Sequence, residues 1–490
     1  MDARAETDIA IVGAGPAGVM LAQALVRPPA ALDVTLIDPS PCGSPAFRAP
    51  EALALNTPAA DMSLQPASPD GFVDWLRTYR HRPEGWSGRD FAPRLVFADY
   101  LRHSLDSLTG RTPGLGATRV RPARALAAEP VDGGWNIRLA GRESLRARTL
   151  VLAPGPARPR PLLFHGREQI EGFVQDDPWD HGELRTLPIG AQVLLIGSGL
   201  TALDVATAVW ARDPTARITA VSRHGLLPRI HSGPNDDGPA LKPPYPATAR
   251  ELYAKLRGEG EFVEGEAGLR PGVFRNLRAA APRLWRNFSE AERAMFLRHF
   301  RRYWDVERHR IPPAQAAVAA AALADGRLRI VRGRLAEGKG VGSGLKARVA
   351  LVGPAGPEAL TVSRVVNCTG PEADPFRSRN PLILDLLSQG AAAADPLGLG
   401  LQVDDDCAVL NGAAAPTPGL FALGALTQGR FFEATAVPEI RAQAEALAER
   451  LIPELRPRRA RQGHFTKGGM ELRIDSTLPP VFSPKVVPRS

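Results

Sequence analysis

Two stretches of this chain space their glycines in a way that serves one kind of chemistry, the holding of a diphosphate. In Asp8-Ile9-Ala10-Ile11-Val12-Gly13-Ala14-Gly15-Pro16-Ala17-Gly18 an apolar run meets glycines in the order G-x-G-x-x-G. Gly13 permits a tight turn, Gly15 lets a pyrophosphate approach the backbone, Pro16 and Ala17 complete the turn among the expected cofactor residues, and Gly18 lets a helix from about Val19 to Leu25 press against the strand. The next apolar run, 33–37, ends at Asp38, where a carboxylate suits a ribose hydroxyl. The same plan returns at Gly197-Ser198-Gly199-Leu200-Thr201, with Ala202, still small, in the third glycine's place. Here the following strand, 217–221, ends at Ser222-Arg223-His224 without a carboxylate. An Arg at that point suits a 2′-phosphate, so this turn expects NADPH rather than NADH; the alternative for Arg223 is a solvated side chain beyond a strand.

Chemistry of this kind needs parallel strands with helices between them, and the rest of the pattern supplies them. Gly71-Phe72-Val73-Asp74-Trp75-Leu76 has helical spacing, and a further helix is expected from near Ala98. Trp135–Leu139 alternates like a half-buried strand, and 149–155 and 364–370 are buried strands ending in the turns Ala153-Pro154-Gly155 and Cys368-Thr369-Gly370. A last buried strand is expected over Gly419–Leu426, with a helix from Val437 to Leu451. Residues 39–69 read as loop, and 228–313 turn helical and Arg-rich, with Gly/Pro loops between Ser232 and Pro246.

At 490 residues the chain exceeds a single compact core. Its net charge of +9 comes from Arg spread along the whole length, which speaks for anionic small ligands and against a nucleic-acid stripe. Cys42, Cys368 and Cys407 stand far apart, form no CxxC, and offer neither a disulfide framework nor a metal cluster, so no metal is expected and a reducing cytoplasm is the simplest setting. No basic n-region precedes the first apolar run, and no stretch has the apolar length of a membrane span.

The two glycine turns and both strand-end turns resemble the flavoproteins in which an FAD domain is interrupted by an NAD(P)H domain. More narrowly, the pieces Leu55-Asn56-Thr57-Pro58, Phe91-Ala92-Pro93-Arg94, Asp177-Pro178-Trp179, Gly197–Asp204, Trp304–Pro312, Asn367–Gly370 and Glu433–Arg441 resemble the group of bacterial FAD/NAD(P)-binding proteins that includes urate hydroxylase-like members. The resemblance implies an α/β fold with two Rossmann-like domains. FAD is placed on 1–165 and 345–455, NAD(P)H on 166–344 with a helical insertion at about 230–315, and 456–490 forms a basic, Pro-containing tail. It assigns FAD to the first turn, with Gly424, Thr435, Ala436 and Val437 near the isoalloxazine, Asn56 and Thr57 on its other side, and Thr369 and Gly370 among the cofactor residues. A helix opening at Val437 would stabilise the negative charge that reduced flavin gathers.

NADPH with FAD implies hydride transfer, and without a CxxC a dithiol pathway has no carrier. By the resemblance, the electrons go to O2 through a flavin C4a-hydroperoxide that oxygenates a small polar substrate, a urate-like heterocycle or an amine. The competing readings are a reductase serving a separate acceptor and an FAD-binding redox sensor. The Baeyer-Villiger fingerprint lacks its His in Glu171–Trp179, which disfavours ketone oxygenation. No general base stands out: His309 and His224 are candidates. Arg430 and Arg441 are candidates for holding a substrate anion, against a cofactor phosphate contact or a solvated face.

Overall fold

The computed structural model describes residues 6–28, 32–47, 50, 52–109, 116–231, 245–258, 271–341 and 346–455. The tail from 456 and most of the Ser232–Pro246 loop lie outside them. The chain opens with β1 (Glu6–Val12), α1 (Pro16–Leu25) and β2 (Val34–Ile37). It continues through α2 (Gly71–Tyr79), α3 (Arg94–Thr109), β3 (Thr118–Arg121), β4 (Ala125–Val131), β5 (Gly134–Leu139) and β6 (Ser144–Leu152). The helix expected near Ala98 begins at Arg94, directly after Pro93, which cannot continue a ladder.

β1 lies between β6 and β2 in parallel register, Ile11 facing Val151 and Leu36. A parallel strand is covered on both faces, and its alternation divides the core in two. Ile9 and Ile11 pack with Val19, Leu21, Leu447 and Leu451 on the side of α1. Ala10 and Val12 pack with Ile137, Leu150, Leu382 and Leu420 on the other.

A second sheet follows from β7 (Val174–Gln175), α4 (His181–Leu184), β8 (Gln192–Ile196), α5 (Leu200–Arg212) and β9 (Arg217–Ser222). The helices α6 (Ala249–Gly258), α7 (Pro271–Asn287), α8 (Glu290–His299) and α9 (Arg301–Arg308) then intervene before α10 (Pro313–Ala324) and β10 (Leu328–Arg332). The helical stretch leaves and returns at one place: Ile230 bridges Ile311, and His231 N–H donates to the Ile311 carbonyl at 3.0 Å.

Three antiparallel strands, β11 (Arg334–Gly340), β12 (Ala347–Gly353) and β13 (Gly356–Val362), lead to β14 (Arg364–Asn367). The sequence reading put 345–455 with the first domain. Instead β14 sits in the second sheet, whose order is β10-β9-β8-β14-β7, with Val365 opposite Leu194. Its buried residues Val365 and Val366 fill cores built on β8, a partnership that local pattern does not reveal.

The return to the first sheet comes with α11 (Pro381–Ser388), β15 (Ala408–Leu410), β16 (Pro416–Ala422), α12 (Gln428–Phe431) and α13 (Val437–Leu455). The first sheet runs β15-β16-β6-β1-β2-β3, with β5 also paired to β6 and β4 to β5. The fold is α/β, with two Rossmann-like parallel sheets. Among the described residues no helix is long and apolar enough to cross a membrane.

Candidate dinucleotide sites and the junction between them

At the first turn the three glycines do three different jobs. Gly13 has φ +117°, and a Cβ there would lie 2.0 Å from the Ala153 carbonyl oxygen at the end of β6. A Cβ on Gly18 would lie 1.9 Å from the Gly13 carbonyl oxygen and 3.2 Å from Leu36 Cδ2, so its absence is what lets α1 lie on the strands. Gly15 is unconstrained: it is extended, caps α1, and has nothing within 4 Å of its missing Cβ. The first N–H groups of α1 have no acceptor in their own helix, so this open side of the backbone suits an anion.

Asp38 is held over the turn, one carboxylate oxygen accepting from Ala14 N–H at 2.8 Å and the other from Ser40 N–H at 2.7 Å. Each oxygen keeps a lone pair for a further donor such as a ribose hydroxyl.

The C-terminal strand reaches the same place. Gly424, φ +68°, stands with its missing Cβ 3.9 Å from Ala17 Cβ and 3.7 Å from the Ala434 carbonyl. A buried polar ring fixes it: Gly424 N–H donates to Gln443, whose amide donates to Thr427, whose hydroxyl donates back to the Gly424 carbonyl. Thr435, exposed, and Ala436 then lead into α13 at Val437.

The second turn repeats the first. Gly197 has φ +120°, with the position of its missing Cβ 2.3 Å from the Cys368 carbonyl, so Cys368 does for β8 what Ala153 does for β1. Gly199 is extended and open like Gly15, and Ala202 is buried against the sheet. Ser198 Oγ donates to the Leu226 carbonyl at 2.6 Å and lies 2.8 Å from Ser222 Oγ, folding the loop after β9 onto the turn. Arg223 and His224 stand exposed on that loop. Ser222 pairs in register with Arg332 of β10. The His224 imidazole is held below its ordinary value, first by desolvation and then by Arg302, Arg223 and Arg332. This corner is cationic, and two of its members, Arg302 and Arg332, were not read from the sequence. Thr369 Oγ1 bonds Asn367 Oδ1 at 2.7 Å, and Gly370, φ +90°, lies open beyond it.

Between the turns the two sheets meet. The segment carrying Asn56 is bound to that carrying Arg94 by Leu55 N–H to the Ala92 carbonyl (2.8 Å) and Arg94 N–H to the Leu53 carbonyl (2.9 Å). Arg94 reaches Asp204 of α5 at 2.7 Å. Asp204 is buried, and its other oxygen accepts from Gln315 at 2.7 Å. The Arg94 guanidinium also lies 5.2 Å over the Trp179 ring. On the far side of the same segment His231 Nε2 donates to the Asn56 carbonyl at 2.8 Å, and its ring packs on Phe91 at 4.8 Å. Burial pushes His231 below its ordinary value, so the neutral Nε2–H tautomer makes this bond. Thr57 follows, half-buried.

The helical insertion forms a wall on the C-terminal strand and helix. Trp285 donates to the Gly429 carbonyl at 2.9 Å and stacks on Phe432 at 4.5 Å. Buried Glu433 accepts from Trp304 at 2.8 Å and Arg308 at 2.7 Å, and Arg278 pairs with Glu439 in the first turn of α13.

Three of the residues singled out from sequence for a catalytic or substrate role are engaged elsewhere. Arg430 forms an exposed ion pair with Asp405 through Nε and Nη2, the shorter contact at 2.7 Å, which occupies that face of its fork, and Arg441 donates from Nη1 to the Ser63 carbonyl at 2.8 Å. Sequence spacing shows a cation but not the partner that neutralises it. His309 is half exposed, 3.9 Å from Asp305. Conversely, Arg94, Asp204, Glu433 and Trp304 sit inside the motif pieces but had no role until their partners were seen, and His231 carried no local signal at all.

All three cysteines are buried and free, Cys42 and Cys407 pushed up to about 12 by burial and Cys368 raised further, so none supplies a thiolate.

Solved structures superpose on this chain over most of its length. L-lysine 6-monooxygenase from Pseudomonas syringae superposes with a TM-score of 0.65 over 92% of this chain and 100% of that one, at 19% identity. The fold is that of the two-dinucleotide-binding flavoproteins. The ornithine N-hydroxylase of Kutzneria sp. 744, with reduced FAD, NADP+ and L-ornithine, gives 0.61 over 92% of this chain and 99% of that one, at 17% identity. The FAD-NAD(P)-binding family profile matches residues 10–157 of this chain. The chain is also similar to the indole-3-pyruvate monooxygenase YUCCA1 of Oryza sativa subsp. japonica, 27% identical over 233 residues. That match covers 47% of this chain and 52% of the relative, so the chain spans about half the length of the curated relative it matches.

Proposed function

We propose that this protein is an FAD-dependent, NADPH-consuming monooxygenase that hydroxylates a small polar substrate, an amine or a urate-like heterocycle. The observation that carries the reading is the pairing of two open glycine turns whose strand ends differ in charge, Asp38 at one and the Arg223 corner at the other. A protein that only stored flavin has no use for the second.

The residues present fit both groups. Gly15 leaves room for the FAD diphosphate at α1, and Asp38 would accept from its ribose. Gly424, Thr435, Ala436 and the start of α13 would meet the pyrimidine edge of the flavin, with Asn56 and Thr57 across the ring. Gly199 and α5 would take the NADPH diphosphate, and Arg223 with Arg302 and Arg332 would take its 2′-phosphate. FAD and NADPH held at these turns would supply hydride transfer and the two-electron activation of O2, one oxygen atom going to the substrate and the other, with the hydride's electrons and two protons, to water. Trp285 and Trp304 pack on Phe432 beside the C-terminal strand and helix. The names of the lysine, ornithine and indole-3-pyruvate monooxygenases agree with oxygen as the destination, and the buried thiols leave no dithiol carrier to compete with it.

The test is stepwise. Anaerobic NADPH should bleach the flavin absorbance of the purified protein, and a screen of amines, purines and aromatic acids should find a compound that gains one oxygen atom by mass spectrometry. No bleaching sinks the enzyme reading in favour of a flavin-binding sensor. Bleaching with oxygen uptake that never couples to product, for any compound, leaves a reductase.

A further inference from the structure

The second domain grips the Asn56 segment of the first at two points. At one, the Arg94 guanidinium meets Asp204 at 2.7 Å; at the other, His231 Nε2–H meets the Asn56 carbonyl at 2.8 Å. Both grips come from elements that carry the NADPH turn. Asp204 stands on α5, whose first residues follow Gly199, and His231 ends the loop that Ser198 folds down after β9. Both act on a single unit, because 53–55 and 92–94 are hydrogen-bonded to one another.

We propose that Arg94, Asp204 and His231 are positioning residues that hold the second dinucleotide turn in register with the flavin-side loop, and so set the approach of the nicotinamide to the flavin. This rests on the two-dinucleotide reading above.

Three features single these contacts out from ordinary packing. Asp204 is 2% exposed, a costly place for a carboxylate, and both of its oxygens are used: one on Arg94 of the first domain, one on Gln315 of α10 in its own. Arg94 is confined by Trp179 as well, its guanidinium 5.2 Å over that ring, which limits how it can turn away from Asp204. The His231 bond is made to a main-chain carbonyl, so it orients the Asn56–Thr57 peptide itself and not merely a flexible side chain. A charge pair at one end of a short segment and an imidazole at the other fix both its distance and its tilt.

The experiment compares Asp204→Asn, Arg94→Gln, Arg94→Lys and His231→Gln with the unsubstituted holoprotein. The readouts are amide hydrogen exchange over 53–57 and 92–94, FAD content, NADPH Kd, and the limiting rate of anaerobic flavin reduction. The expected result is exchange about 10-fold faster in those segments, with β1 and β2 unchanged. The limiting reduction rate should fall about 10- to 100-fold, with FAD content kept and NADPH Kd altered by less than about 3-fold. Arg94→Lys should recover part of what Arg94→Gln loses, and Arg94→Gln combined with Asp204→Asn should be no slower than the worse single variant. Unchanged exchange and reduction overturn the positioning role. So does a loss of FAD that tracks the rate in every variant, since it marks a merely structural junction; His231→Gln, on the more exposed contact, keeps the comparison available if Asp204→Asn fails to fold. If the unsubstituted protein is not reduced by NADPH, the functional reading falls and this proposal falls with it.

Discussion

Gly15 and Gly199 are geometric twins, with φ and ψ of −81° and −170° in one and −80° and −168° in the other, and neither has an atom within 4 Å of its missing Cβ. Both conformations are open to alanine. Gly15→Ala should therefore leave the flavin-free protein as stable as before or more so, by about 0.4–1 kcal/mol, since alanine has less freedom to lose on folding. The new methyl would stand where the diphosphate approaches. Displacing the phosphate enough to lose one charge-assisted N–H bond costs about 1.5–3 kcal/mol, roughly 10- to 150-fold in FAD Kd. Gly199→Ala should do the same to NADPH and spare FAD. Gly13→Ala is the contrast: its Cβ would lie 2.0 Å from the Ala153 carbonyl at φ +117°, so it should cost the fold itself more than about 2 kcal/mol. The assays are thermal unfolding of flavin-stripped protein and calorimetric titration with each nucleotide. Gly15→Ala protein that binds FAD as tightly as the unsubstituted chain, or that loses NADPH instead, would refute the assignment of the two turns.

Further outcomes follow from the same geometry. Arg223→Ala should raise the NADPH KM about 10-fold or more and leave the NADH KM within about 2-fold, as steady-state kinetics with both nucleotides will read. Glu433→Ala leaves the Arg308 guanidinium and the Trp304 N–H buried without their acceptor and should cost about 3–5 kcal/mol in urea unfolding, with Glu433→Gln between it and the parent. His231 and His181 both have folded values below the ordinary 6.5, chiefly through burial, so the unfolded chain takes up protons first as pH falls. Their contribution to stability is complete above 6.5 and is lost as pH drops through that value toward the folded ones. Melting temperatures across pH 7 to 5 should fall, and His231→Gln should flatten that fall. A thiol reagent should label none of the described cysteines until the protein unfolds, because all three are buried with raised pKa values.

How much of the site could be read in advance depended on how local its physics is. A glycine turn is a property of a few consecutive residues: Gly13 and Gly18 declare a tight bend and a close helix because a Cβ would collide with the backbone there, and Gly15 declares a backbone left open to a ligand. The same holds for Asp38 at a strand end and for the absence of a CxxC. Arg430 shows the limit. Its sequence neighbours say that a cation follows the last strand, but Asp405, the group that neutralises it, lies 25 residues away and meets it only after β15 and β16 have paired. β14 shows the same limit for the fold, since a buried strand matches any sheet until its neighbours have been chosen.

By itself, then, the sequence determined the two parallel-sheet units, the glycine turns and the difference in charge between their strand ends, all written in short-range steric and electrostatic terms. Tertiary structure alone decided what joins them. Arg94 lies 110 residues from Asp204, His231 lies 175 from Asn56 and Glu433 lies 125 from Arg308, and each pair meets only when the two sheets and the helical insertion have docked. Burial is the physical reason: a carboxylate such as Asp204 acquires its significance from losing its water, and no stretch of sequence records which surfaces another domain will cover.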